Sequence, residues 1–253
     1  MDRSCTLLRS LVLSGVIGLL WPCSLQVGWG ADVSLNAVAD AFVTSAQPDS
    51  NYGAAGGLSV AASGLPKGEF QSVLRFDASA AKASFDATFG AGQWLVQNVT
   101  LCLTAAYPNN TIFNASAAGR FAIEWMQNDS WVEGTGTPST PGTTGITFNT
   151  LPSFLSGSDQ SLGQFDFDGA TTGSITYTLE PASNLLADLS AGNLVSMRML
   201  AASATVSGVF NSRNFGTPAY RPLLSLTAVP EPVTLSLLAV GLVYLRRCRG
   251  SIR

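Results

Sequence analysis

The chain has 253 residues and no histidine, which removes Ser-His-Asp and Cys-His catalysis and the commonest transition-metal ligand. Apolar residues make up 46%, enough for a packed core, while charged residues make up only 11%, well under the usual quarter. Residues 31–228 hold 14 acidic and 7 basic side chains, so the body lacks the positive surface that nucleic acid needs as a partner.

Residues 1–30 read as a secretory signal. Arg3 and Arg9 give a positive start, residues 11–20 form an apolar stretch, and Gly28 and Gly30 put small residues at −3 and −1 of a cut before Ala31. An uncleaved anchor is the other reading. Cys5 and Cys23 fall in this segment and Cys248 near the C-terminus, so Cys102 alone stays in the body and no internal disulfide can form there. Cys102 reads as a small strand residue.

Period-two patterning then predicts many short strands. They fall near 36–44, 57–62, 70–76, 95–104, 121–125, 174–179, 194–201 and 222–228. Asp40 is expected to satisfy backbone donors at a strand start. Asn51-Tyr52-Gly53 reads as a turn, because Asn and Gly tolerate positive φ. Arg75 and Asp77 fall on the outward face of their strand, and Trp125 falls on an apolar face with Phe121 and Ile123. Residues 134–145 form a Gly/Thr/Pro/Ser stretch, read as a long surface loop in preference to a linker between two domains. Leu185, Leu186 and Leu189 have helical spacing with Gly192 just beyond, which predicts one short helix over 183–191. The fold class is therefore all-β: an antiparallel β-sandwich or jelly roll with one short helix, flanked by an N-terminal signal helix and a C-terminal transmembrane helix.

Candidate site residues are few. Trp131 and Tyr107 could stack on a glycan, Trp131 being placed in a loop and so at the surface. Asp166 and Asp168 sit at alternate positions and could supply oxygens to a structural Ca²⁺; no other cofactor is indicated. Glu124 and Glu133 are the glutamates near the tryptophans. Nothing in their spacing specifies the carboxylate pair of a glycoside hydrolase, so a secreted hydrolase is the weakest function reading.

The C-terminus has three parts in order: Val229-Pro230-Glu231-Pro232, then 13 apolar or small residues at 233–245, then Arg246, Arg247 and Arg249. Counted from Val229, the apolar segment could just cross a bilayer, with the arginines held on the cytoplasmic side. This order resembles the PEP-CTERM sorting signal of Gram-negative, matrix-forming bacteria, carried by Pro230-Glu231-Pro232, the apolar segment with Gly241-Leu242, and the arginine cluster. The resemblance implies an exosortase as partner, cleavage near the motif, a transient membrane anchor, and a final place at the cell surface or in the extracellular matrix.

The body resembles the DNRLRE-type carbohydrate-binding-like β-sandwich family over roughly residues 36–227. The motifs, in order, are Ala39-Asp40-Ala41-Phe42-Val43, Asn51-Tyr52-Gly53, Leu58-Ser59-Val60, Ser72-Val73-Leu74-Arg75-Phe76-Asp77, Val99-Thr100-Leu101-Cys102-Leu103, Trp131-Val132-Glu133 and Arg221-Pro222-Leu223-Leu224. The chain departs from the family at 134–145, where a second tryptophan is usual. The expected organisation is a signal (1–30), a sandwich domain (31–228) and a sorting segment (229–253). The expected function is a non-enzymatic structural or adhesive surface protein; the alternative is a carbohydrate-binding module meeting extracellular polysaccharide.

Overall fold

A computed structural model describes residues 30–109 and 111–231. The expected signal, Pro232, the apolar tail segment and Arg246, Arg247 and Arg249 lie outside the described residues. Ten strands form: β1 (Ala31–Thr44), β2 (Gly57–Ala61), β3 (Phe70–Asp77), β4 (Trp94–Ala106), β5 (Gly119–Met126), β6 (Gln160–Phe167), β7 (Gly173–Thr178), β8 (Leu194–Ala201), β9 (Ser207–Asn211) and β10 (Leu223–Pro230). Two helices join them, α1 (Ser79–Phe89) and α2 (Ser183–Ala191). The all-β expectation holds, and α2 has the predicted bounds. The single-helix expectation does not hold, because α1 was unforeseen.

Every strand pairing is antiparallel. The strands make one sheet, in the order β1-β10-β4-β9-β2-β3-β8-β5-β6, with β7 beside β4 and an added β1–β3 pairing. That added pairing closes six strands into a ring. Its cause is the length of β1. Residues 31–36 pair with β10, a bulge follows between Ala37 and Ala39, and residues up to Thr44 pair with β3. A bulge bends a strand and increases its twist, so one strand passes from one partner to another.

The main core is shared by strands of this ring and by β5 and β8, which continue the sheet beyond it. It gathers Leu101 and Leu103 of β4, Leu224 and Leu226 of β10, Leu74 and Phe76 of β3, Ile123 and Trp125 of β5, and Met197 and Met199 of β8. Trp125 is a core residue as its face predicts, and its indole nitrogen donates to Asp188 of α2 at 2.9 Å. At roughly 25 cal/mol per Å² of buried apolar area, such side chains supply most of the driving force for folding. Residues on both sides of 134–145 enter the same sheet and the same core.

A second cluster covers the outer face of β1, β3 and β8. It holds Ala39, Ala41, Val43, Val73, Met126, Trp131, Ile146 and Leu151. The chain after β5 therefore folds back over the sheet, and β3 is buried on both faces. A third cluster is aromatic: Phe42 stacks on Tyr52 with centroids 4.4 Å apart and meets Phe113 edge-on at 5.2 Å, and Phe70 lies 5.8 Å from both Phe42 and Phe113.

Candidate functional site

Trp131 does not stand at the surface. It is 1% exposed, and its indole nitrogen donates to Ser196 Oγ at 2.9 Å. The Arg75 guanidinium lies over its ring, 4.6 Å from the centroid, and donates to the carbonyls of Asp129 and Trp131 at 2.6 and 2.9 Å. With one face under a cation and the ring packed among Ala41, Val73 and Ile146, no flat surface is left for a sugar. The surface expectation for this residue is corrected. Arg75 does point outward from β3, as predicted, but into this covering layer.

Asn51-Tyr52-Gly53 is also not the positive-φ turn that was expected; the positive-φ glycines among the described residues do not include Gly53, and no other residue type has φ above zero. Asn51 is fully buried and acts as a buckle. Its side-chain nitrogen donates to the carbonyls of Glu133 (2.7 Å) and Ile146 (2.8 Å), while its side-chain oxygen accepts from the amides of Gly53 (3.1 Å) and Gly136 (3.2 Å). Its backbone forms an antiparallel bridge with Gly142. All the hydrogen-bonding capacity of this carboxamide is used. Glycine is required at 53 and 136 by closeness: a Cβ at Gly53 would enter the Glu133 carbonyl, and one at Gly136 the Asn51 carbonyl. The 134–145 stretch is a loop as predicted, and this buckle is what fixes it.

Beside the buckle lies an ionic knot. Asp40, within β1 and not at its start, is 1% exposed and accepts the Arg213 backbone N–H at 2.6 Å. Arg213 also makes a two-pronged pair with Glu133, both contacts at 2.5 Å, and Glu133 accepts the Asp40 backbone N–H at 3.0 Å. Two-pronged Arg–carboxylate pairs are among the stronger polar contacts. Burial pushes the Asp40 carboxyl up to about 7, against the lowering effect of the Arg213 N–H, and its Oδ1 has no partner. The pair with Glu133 raises the Arg213 guanidinium above its ordinary value. The knot ties β1, the 133–146 segment and the segment after β9 together. Glu133 is paired with Arg213, and Glu124 with Arg198 at 2.7 Å.

The two proposed Ca²⁺ ligands are engaged separately. Asp166 on β6 is almost fully exposed and pairs with Arg120 at 3.4 Å. Asp168 caps a turn: its Oδ1 accepts the Ala170 and Thr171 amides at 2.9 and 2.7 Å, and its Oδ2 accepts the Thr171 hydroxyl at 2.5 Å. The Thr171 side chain, then the amides, hold its carboxyl down at about 2. No group of three or more acidic or cysteine side chains suited to a metal occurs among the described residues.

Tyr107 is exposed, 58% by area, and its hydroxyl donates to the Ala170 carbonyl at 2.6 Å. It edges a groove of about 250 Å³ that also involves Gly56, Asn109, Phe113, Asn211 and Phe215. At the opposite end of β4, Pro230 pairs with Trp94 and the Glu231 amide donates to the Gln93 carbonyl at 2.9 Å. Two of the three residues of the Pro-Glu-Pro motif thus contact the sheet directly. Compared with protein-family models and with curated proteins, the sequence matches none of them.

Proposed function

We propose that the chain is an exported, non-enzymatic surface or matrix protein of the PEP-CTERM type. It leaves the cytoplasm on its leader, is held in the membrane by its C-terminal segment, and is processed by an exosortase. The observation that carries this reading is where the first and last described strands fall in the sequence. β1 begins at Ala31, the residue after the expected leader cut, and β10 ends at Pro230, the first residue of Pro-Glu-Pro. Cutting at the leader site, or after the motif, takes no strand from the sheet.

The body is read as a flattened DNRLRE-like sandwich. In support, β10, β4 and β7 are successive neighbours, as are β3, β8, β5 and β6, and buried residues of both groups belong to one core. The engagement of Glu124 and Glu133 in ion pairs supports a structural or adhesive role over hydrolysis. Intact-mass spectrometry of the protein from fractionated native host cells tests the proposal. A species starting at Ala31 and ending near residues 229–232, in the surface or medium fraction, is expected. A species retaining Arg253 in the inner membrane sinks the exosortase reading.

A further inference from the structure

We infer that the free edge of β7 pairs with the β7 edge of a second copy of this chain, antiparallel and centred on Thr176. This goes beyond the export reading and does not depend on it, since the edge belongs to the folded body.

Among the described strands only β6 and β7 are hydrogen-bonded on one side alone, β6 to β5 and β7 to β4. The two are consecutive in sequence, yet they do not zip together. One backbone bond joins their segments, from the Glu180 amide to the Leu162 carbonyl at 2.9 Å. Which groups of β7 stay free follows from its ladder. The Leu179 amide donates to the Val99 carbonyl at 2.9 Å. Hydrogen-bonded positions of an antiparallel pair recur at every second residue, so Gly173, Ile175 and Tyr177 spend their backbone groups on β4. Ser174, Thr176 and Thr178 each aim an N–H and a C=O away from it. The Glu180 amide, next in that series, leaves on the same side to reach Leu162. A row of unpaired strand groups is a template for another strand.

β6 guards its edge and β7 does not. β6 carries a bulge beside Gly163, the almost fully exposed Asp166, and a Leu162 carbonyl already in use. Bulges and charges keep strand edges apart. β7 has neither charge nor proline, its register with β4 is unbroken from Thr178 to Gly173, and Ile175, Thr176, Tyr177 and Thr178 all favour strands. The edge is also complementary to itself, which selects a second copy as the occupant. With Thr176 opposite its own counterpart across a two-fold axis, Ser174 faces Thr178, and every free amide meets a free carbonyl. On the outer face exposed hydroxyl side chains meet hydroxyls. On the inner face half-buried Ile175 comes opposite Tyr177, an aromatic and β-branched pair. No like charges on β7 oppose each other. A contact of six residues is small for an interface, so the dimer is weak, with a Kd of about 10–100 µM.

The test uses the full chain in excess detergent at about 0.15 M salt, followed by sedimentation velocity. A monomer–dimer equilibrium in the range above is expected. Thr176→Lys and Thr176→Glu each put like charges opposite one another at the axis and should weaken self-association at least about tenfold. An equal mixture of the two should form a heterodimer within about threefold of the wild-type affinity. Thr176 is exposed, so both variants should melt near the wild-type temperature. In amide hydrogen exchange of the wild type, Thr176 and Thr178 should slow as concentration rises, while Ile175 and Tyr177 stay protected throughout. The C-terminal segment is the same in every variant, so association through it would survive Thr176→Lys. That survival in a folded variant, a monomer at every concentration up to about 1 mM, exchange at Thr176 indifferent to concentration, or failure of the lysine and glutamate variants to associate with each other would each overturn the inference.

Discussion

Replacing Asp40 by asparagine tests whether the ionic knot holds a proton. In the unfolded chain this carboxyl titrates near its ordinary 3.8, and in the folded chain near 7, because burial disfavours the charge. Below the lower value both states are protonated and the group's full contribution to stability is present. Between the two values only the folded state keeps the proton, so stability falls as pH rises, until the folded group also ionises. A pKa unit corresponds to about 1.36 kcal/mol, so the whole separation amounts to roughly 4 kcal/mol, of which about 2–3 kcal/mol is lost between pH 5 and pH 8. Asparagine at 40 can still accept the Arg213 N–H but does not titrate. Urea unfolding followed by tryptophan fluorescence, at both pH values, gives the stability of wild type minus variant. That difference should move in the variant's favour by about 2–3 kcal/mol at the higher pH. A difference that stays constant would mean that Asp40 is charged throughout, and the reasoning from burial would be wrong.

Further outcomes follow from the same contacts. Gly136→Ala drives a methyl into the Asn51 carbonyl and the Gly142 amide; it should cost about 1–3 kcal/mol, as overpacking does, read as a lower melting temperature. Trp131→Ala empties a buried site and should cost about 3–5 kcal/mol, with Trp131→Phe losing much less. Asp168→Asn weakens a turn whose carboxylate is held at about 2. The stability difference between wild type and this variant should be present above pH 4 or so and fade as pH falls toward 2, measured by thermal unfolding. Constancy of that difference over this range would contradict the capping role.

How legible these features were in the sequence depended on whether a segment faced one core or two. β3, β4 and β7 alternate clearly enough to be read, and α2 shows its Leu185–Leu189 spacing and Gly192 stop. β9 is buried along its whole length, so period-two alternation had nothing to report. β6 is interrupted at Gly163, near a bulge opposite Ala122 and Glu124, which breaks its pattern. α1 could have been found: Ala81 and Phe85 are its buried residues, one turn apart, and Lys82 and Asp86 form an i,i+4 pair. The burial of Trp131 was not readable, because the 127–159 segment has little regular structure and Arg75 reaches it from far away in sequence. Asn51 was singled out for its backbone freedom, whereas its side chain is what the fold uses. Tyr107 was legible as an exposed aromatic; Asn211, buried at the end of an unpredicted strand, was not.

The pairing of Ala31 with Ala228 sets a direction for the whole body. Both flanks of the chain leave from one pole, where Pro230 also meets Trp94 at the start of β4. The 13 residues of β4 run from there to Ala106, on the rim of the groove, a path of roughly 40 Å at the usual rise of a strand. Under the proposed C-terminal tether, the far end of β4 would stand away from the bilayer by about that length.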